Sequence, residues 1–193
     1  MNYTESLDYL FALQRMGARL GTQVVSSLLA RLGDPHNSFP SVLVAGTNGK
    51  GSTAAFLASI LRCAGLRTGL YTSPHLVRME ERITVNGAMI SETEVARLAT
   101  RIQAEVEQMI GRGGEEMRPS FFESVTAMAF CHFMESQLDV AVVEVGLGGR
   151  LDATSVVDAV TCLFTPIDLD HQQYLGDDLR SIAWEKAGIL RSG

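Results

Sequence analysis

Apolar residues fall into two kinds of run along this chain. Short continuous stretches occur at 42–45, in "DVAVVEVG" from Asp139 and in "AVTCLF" from Ala159, the pattern of strands inside a parallel sheet covered on both faces. Elsewhere apolar residues recur three and four apart, at Val25, Leu28, Leu29 and Leu32 and again at Val95, Leu98, Ala99, Ile102 and Val106, which predicts amphipathic helices. Their starts are marked: Asn2 with Glu5, Ser91 with Glu94 and Ser120 with Glu123 each read as a capping box. The first helix is expected to run to about Gln14, the second to stop at Gly33, a third to span 54–63 and a last to span 178–187, stopped by Gly188. Residues 68–72 read as a short strand, Asn86-Gly87 as the turn of a hairpin, and "GRGGEEMRP" as a flexible link. Strand, helix and strand in succession make a βαβ unit, and the class predicted is α/β: a mostly parallel sheet with helices on both faces.

At 193 residues the chain is long enough for one domain or part of a larger one. It stops at "ILRSG", where a further strand should follow the last helix, so the domain is expected to be incomplete. A net charge of −6 with no lysine or arginine cluster argues against a broad nucleic-acid footprint. No run is long enough to span a bilayer, and "MNYTESLDYL" lacks the basic start and apolar centre of a signal peptide. The expectation is a cytoplasmic protein handling small molecules, with no nucleic acid or membrane partner. Cys63, Cys131 and Cys162 are too dispersed for a disulfide framework or a zinc site.

"VLVAGTNGKGST" carries the first chemistry. A buried strand, a glycine loop, a lysine and then a helix present backbone N–H groups to phosphate, giving the sheet a P-loop-type character. The regular GxxxxGK[ST] spacing is not met, because Val44 stands where the first glycine belongs and Gly51 separates Lys50 from Ser52. A tight turn with an exposed lysine is the plainer alternative. Glu144 lies in an apolar strand, where a carboxylate needs a partner: the magnesium of a bound nucleotide, or an arginine such as Arg150. "GLGGRLD" fails the dinucleotide fingerprint, with Leu151 at the third glycine position. "PIDLDH" brings Asp168, Asp170 and His171 to what should be the same C-terminal sheet edge, where ligands bind in open α/β sheets. Lys186 shares a helical face with Leu179, Ile182 and Ala183. It either snorkels out at the helix end or is a desolvated amine that does chemistry.

Taken together, "AGTNGKGS", "TSPHL" with "ERI", "SFFESVTAMAF", "VVEVGLGGRLDAT", "DHQQYLG" and "IAWEKAGI" resemble, in this order, the folylpolyglutamate synthase and dihydrofolate synthase family of the Mur ligase superfamily. The resemblance covers nearly the whole chain and implies the central Mur ligase ATPase domain, with the shortened lysine loop as its family form. It implies ATP-dependent ligation: phosphate is transferred to a carboxylate of a folate or dihydropteroate, and the amine of L-glutamate displaces it. By resemblance, Thr47, Asn48, Gly49, Lys50, Gly51 and Ser52 hold ATP, and Lys50, Lys186 and His171 are catalytic. Ser73, Glu144, His171 and Ser52 ligate Mg2+, and Lys186 is carbamylated. Arg19, Leu20, Ser120, Phe121, Phe122, Glu123, Leu151, Asp152 and Ala153 border the pterin. Where the family usually has leucine after Gly21, this chain has Thr22. Family members are longer, which implies further sheet strands, adenine contacts and a C-terminal domain with glutamate-binding groups beyond residues 1–193, and a monomer when complete. A small P-loop kinase or NTPase, and a non-catalytic nucleotide-binding fragment, are the alternative functions.

Overall fold

The structure, a computed structural model, describes residues 1–17 and 20–190. Six strands form one sheet: β1 (Ser41–Ala45), β2 (Thr68–Tyr71), β3 (Ile83–Val85), β4 (Ala88–Met89), β5 (Val140–Glu144) and β6 (Ala159–Phe164), in the order β4-β3-β2-β5-β1-β6. The β2, β5, β1 and β6 strands run parallel, while β3 and β4 add an antiparallel hairpin. Asn86 and Gly87 both take positive φ at its turn, as the dipeptide predicts. Pairing of Val44 with both Glu144 and Leu163 aligns the C-terminal ends of β5, β1 and β6 at one edge.

The helices are α1 (Tyr3–Ala12), α2 (Gln23–Arg31), α3 (Lys50–Cys63), α4 (Glu92–Gly113), α5 (Phe121–Glu135), α6 (Gln172–Leu175) and α7 (Leu179–Ala187). One sheet face takes α3, whose Ala54 and Ala58 let the helix approach Val44 and Val142 closely. The other face takes α5, which also packs on α1, α2 and α4. Phe121 to Cys131 and Phe133 of α5 are nearly all buried, as a helix enclosed on every side requires. Each phenylalanine so buried stabilises the fold by about 1.5–3 kcal/mol. Capping boxes at Asn2–Glu5 and Ser120–Glu123 form in full.

Four expectations change. Helix α3 starts at Lys50 rather than at 54, because Gly49 takes the left-handed conformation and turns the chain directly into the helix. At Ser91 only half the box forms, since the Glu94 carboxylate turns to Arg97. Residues 111–113 of the supposed flexible link continue α4, and the helix stops at Gly114, φ 84°. Finally, among the described residues β6 is the outer strand rather than one covered on both faces: Val160 is 67% and Phe164 41% exposed. Among the described residues no helix is long and apolar enough to cross a membrane.

Candidate nucleotide and substrate site

At the C-terminal edge of β1 the chain makes the glycine loop. Gly46 has φ 141°, and a Cβ there would lie 1.9 Å from the Thr165 hydroxyl, so only glycine fits. Thr47 fastens the loop to the segment after β6: its N–H donates to Pro166 O at 2.9 Å, and its hydroxyl meets the Asp168 backbone at 3.0 Å. With Gly49 at the cap, Lys50, Gly51 and Ser52 form the first turn of α3, and no side chain caps it. The Gly51 N–H is drawn to the Glu144 carboxylate, and the other first N–H groups of the helix remain available to an anion, reinforced by the helix dipole. The Lys50 amine is half-buried and donates to Thr47 O at 3.2 Å.

Glu144 ends β5 beside this turn and is only 5% exposed. Its Oε2 accepts the Ser73 N–H at 2.8 Å, and a Cβ placed on Gly51 would come within 3.5 Å of both carboxylate oxygens. Burial pushes its pKa up, against the pull of the Ser73 N–H, Lys50 and Arg82. Arg150 is not its partner. That guanidinium pairs with Glu185 at 2.8 Å, and among the described residues no ion pair engages Glu144.

Lys186 does not snorkel. It is 3% exposed, and its amine donates to Gly46 O in the glycine loop at 2.7 Å. The cause lies in "GLGGR": a Cβ on Gly149 would sit 2.7 Å from the Glu185 and Lys186 carbonyls, and Arg150 N–H donates to Glu185 O. The loop therefore lies on the last turn of α7 and closes the way out. Burial, and secondarily Lys50, push the Lys186 pKa down. His171 caps α6 with φ 48°, is exposed, and stands 3.6 Å from Asp170. His132, inside α5, is half-buried away from the sheet edge.

Next to Glu144 opens a cleft of about 340 Å³. Of the expected substrate residues, Leu20, Ser120, Phe121, Phe122, Glu123, Asp152 and Ala153 line it, joined by Ser73 and His171. Leu151 does not; its carbonyl instead accepts Gly21 N–H at 2.9 Å. Arg19 lies outside the described residues. Asp152 is buried, and its carboxylate accepts from Leu147 N–H, Thr154 N–H and the Thr154 hydroxyl, so it shapes the wall of the cleft. Glu123 gives Oε2 to Ser120, while its buried Oε1 has no hydrogen-bond partner among the described residues.

Arg82 was not anticipated as a site residue. It is 6% exposed, lines the cleft, and lies over the Phe121 ring at 5.1 Å. Its Nε donates to His75 Nδ1 at 2.7 Å. Among the described residues it forms no ion pair, and burial pushes its pKa down. Nothing in "RMEERI" separates it from Arg78, which is exposed and paired with Glu80 and Glu92.

No family model matches the chain. Individual proteins do. A probable bifunctional folylpolyglutamate synthase/dihydropteroate synthase of Halobacterium salinarum is 47% identical over 194 residues, covering 100% of this chain and 23% of that protein. The dihydrofolate synthase/folylpolyglutamate synthase of Escherichia coli is 46% identical, covering 96% of this chain and 42% of that one. Among solved structures, apo folylpolyglutamate synthase of L. casei superposes with a TM-score of 0.94 at 37% identity, over 100% of this chain and 47% of that one. Over its whole length the chain is similar to the N-terminal part of folylpolyglutamate synthases and dihydrofolate synthases. E. coli FolC, solved with DHPP and ADP, matches at a TM-score of 0.86 and 42% identity over 97% of this chain and 44% of that one. The chain thus spans less than half the length of these family relatives.

The family implies magnesium, and the donors present suit it. Glu144 is a buried carboxylate without a cationic side chain in contact, adjoining the Ser73 backbone and the free N-terminal turn of α3. Among the described residues no three histidine, cysteine or acidic side chains gather into a cage. A single carboxylate with hydroxyl, water and phosphate oxygens is how Mg2+ is usually held, because it sheds its waters reluctantly.

Proposed function

We propose that this chain forms the nucleotide and pterin-side portion of an ATP-dependent ligase that joins L-glutamate to a folate or dihydropteroate carboxylate through an acyl phosphate. The observation that carries the reading is the junction at Glu144: one buried carboxylate bridges the uncapped N-terminus of the glycine-loop helix and Ser73 on the wall of the aromatic cleft. A phosphate donor and a carboxylate acceptor held on either side of that junction meet over a short distance. Such positioning supplies much of the acceleration in phosphoryl transfer.

On this reading Thr47, Asn48, Gly49, Gly51 and Ser52 contact the phosphates by backbone N–H and hydroxyl groups, and Lys50 balances charge on the transferring group. Ser73, Glu144, His171 and Ser52 are the residues that hold magnesium, which, when bound, neutralises phosphate charge. Phe121, Phe122, Leu20 and Ala153 take the flat pterin, Glu123 Oε1 accepts one of its N–H groups, and Arg82 faces the anionic end. Lys186 is taken to be carbamylated: its neutral amine adds to carbon dioxide with loss of a proton, and its depressed pKa enlarges the neutral fraction. The glutamate amine then attacks the acyl phosphate, forming the amide and releasing phosphate. The protein is taken to be a cytoplasmic monomer whose glutamate-binding groups lie outside these residues.

The test is ADP release by the complete protein with dihydropteroate or a folate, each with and without glutamate. Glutamate-dependent ADP release with an amide product supports the ligase. A stable phosphorylated product without amide would make the protein a kinase, and nucleotide binding without turnover a binding module.

A further inference from the structure

We propose that His75 is a positioning residue: its Nδ1 holds the Arg82 guanidinium over Phe121 as the receptor for the substrate carboxylate. The inference rests on the reading of the cleft given above and goes beyond it by naming what sets the receptor's orientation.

Three observations converge. Arg82 is buried in the cleft wall, yet the acidic residues nearest it in sequence are committed elsewhere. Glu80 accepts from the Tyr3 hydroxyl at 2.6 Å and from Arg78 at 3.0 Å. Glu81 accepts the N–H groups of Leu76, Val77 and Arg78 at 2.7, 2.9 and 2.7 Å. Among the described residues no carboxylate therefore stands within ion-pair distance of Arg82; Glu144 acts on it only from further off and the Tyr71 hydroxyl is its other polar neighbour, although a desolvated guanidinium calls for a carboxylate in contact. Second, the acceptor for Nε among the described residues is an imidazole nitrogen, 2.7 Å away. An acceptor at Nδ1 carries no proton, so His75 orients the guanidinium without cancelling its charge. A carboxylate in its place would have done both and closed the receptor.

Third, His75 is itself held. The three N–H bonds to Glu81 pin the backbone just after it, and its ring lies beside Phe11 at 6.2 Å, which in turn stacks on Phe121 at 5.7 Å. Arg82 is thus fixed by an acceptor at Nε and by an aromatic face beneath it. A planar donor group constrained in this way recognises a carboxylate in one orientation.

Two substitutions separate the hydrogen bond from the packing. His75→Phe keeps the ring against Phe11 and removes the acceptor, whereas His75→Asn places an oxygen near the Nδ1 position and removes the ring. Dihydropteroate and its uncharged methyl ester are titrated calorimetrically into each complete protein, and KM is measured for dihydropteroate and for ATP. His75→Phe is expected to weaken dihydropteroate binding and raise its KM by about tenfold, the value of one charge-assisted hydrogen bond, with ester binding and the KM for ATP unchanged. His75→Asn is expected to stay within about twofold of wild type. Melting temperatures confirm that each variant folds, and His75→Gln replaces His75→Asn if the latter does not. A His75→Phe protein that binds dihydropteroate as wild type does, or one in which the acceptor-bearing variant is equally impaired, overturns the inference. Equal weakening of acid and ester does so too, since it assigns the effect to shape. A wild-type protein that binds neither compound sinks the reading of the cleft and this inference together.

Discussion

Lys186→Met, made in the unmodified protein in bicarbonate-free and metal-free buffer, should raise stability. The lysine is 3% exposed, so its ammonium has lost nearly all its hydration. An ion taken into the interior costs several kcal/mol even after relaxation. Against this stands one hydrogen bond, from Nζ to Gly46 O at 2.7 Å, worth about 1.5–3 kcal/mol for a charged donor. Methionine has similar reach and keeps the packing. The difference favours the variant by about 1–2 kcal/mol, or roughly 3–8 °C in Tm for a chain of this length. The effect should also depend on pH. The folded-state pKa of Lys186 lies below its ordinary value of 10.5. Between the two values the unfolded chain binds more protons than the folded one, so wild-type stability rises with pH across that window. The Met variant lacks this gain, and its advantage should be largest near neutrality and shrink as pH approaches 10.5. Calorimetric melting at neutral and alkaline pH measures both effects. A variant that melts lower than wild type at neutral pH, or an advantage that does not change with pH, would refute the reasoning.

Lys50→Ala should abolish ADP release, by at least about a hundredfold, while leaving the denaturation midpoint within about 0.5 kcal/mol, because the amine makes one contact with Thr47 O; wild-type turnover removes it from the mechanism. Gly149→Ala pushes a methyl to 2.7 Å from two carbonyls of α7, and urea unfolding should show a loss of about 1–3 kcal/mol, with an unchanged midpoint contradicting the close approach. Glu144→Gln should shift the magnesium dependence of turnover at least about tenfold upward. Because burial raises the Glu144 pKa, wild-type magnesium affinity should begin to fall at a higher pH than an unperturbed glutamate would set; a magnesium titration unaffected by the variant would deny Glu144 the metal.

Local signals were readable from sequence wherever the physics is local. Asn2–Glu5 and Ser120–Glu123 cap their helices because each box needs only four consecutive residues. Asn86-Gly87 turns the hairpin, and the apolar runs at 42–45 and 140–144 became central strands. Glu144 announced itself as a charge where an apolar residue belongs. The failures depend on backbone conformation that residue type leaves open, or on distant partners. The start of α3 at Lys50 follows from how Gly49 turns the chain, and nothing in the residue types distinguishes that start from one at 54. Lys186 was legible as a lysine on an apolar face, but its burial is decided by residues 146–152 lying across it. Arg82 and Arg78 look alike in sequence; one is buried because Phe121 and His75 come to it from other parts of the chain.

The glycine loop itself is not a self-contained module. A phosphate loop needs its N–H groups aimed at one point before the anion arrives, since aiming them afterwards would consume binding energy. Here that aim is set largely by residues more than a hundred positions later. Thr165 N–H donates to Ala45 O at 2.8 Å, Pro166 O and the Asp168 backbone hold Thr47 from both sides, and Lys186 holds Gly46 O. All are contributed by the segment that follows β6 and by α7. The parallel sheet makes this possible: strands distant in sequence end at the same edge, so the exit of β6 lies beside the exit of β1. The same edge brings Glu144 from β5 and Ser73 from just beyond β2 into contact. The glycine loop, the carboxylate at the junction and the cleft wall are therefore coupled through hydrogen bonds, most with a backbone group at one end, between the strand exits. A change in 165–186 that touches no phosphate can still misalign the loop, because the bonds that hold Gly46 and Thr47 in place begin there.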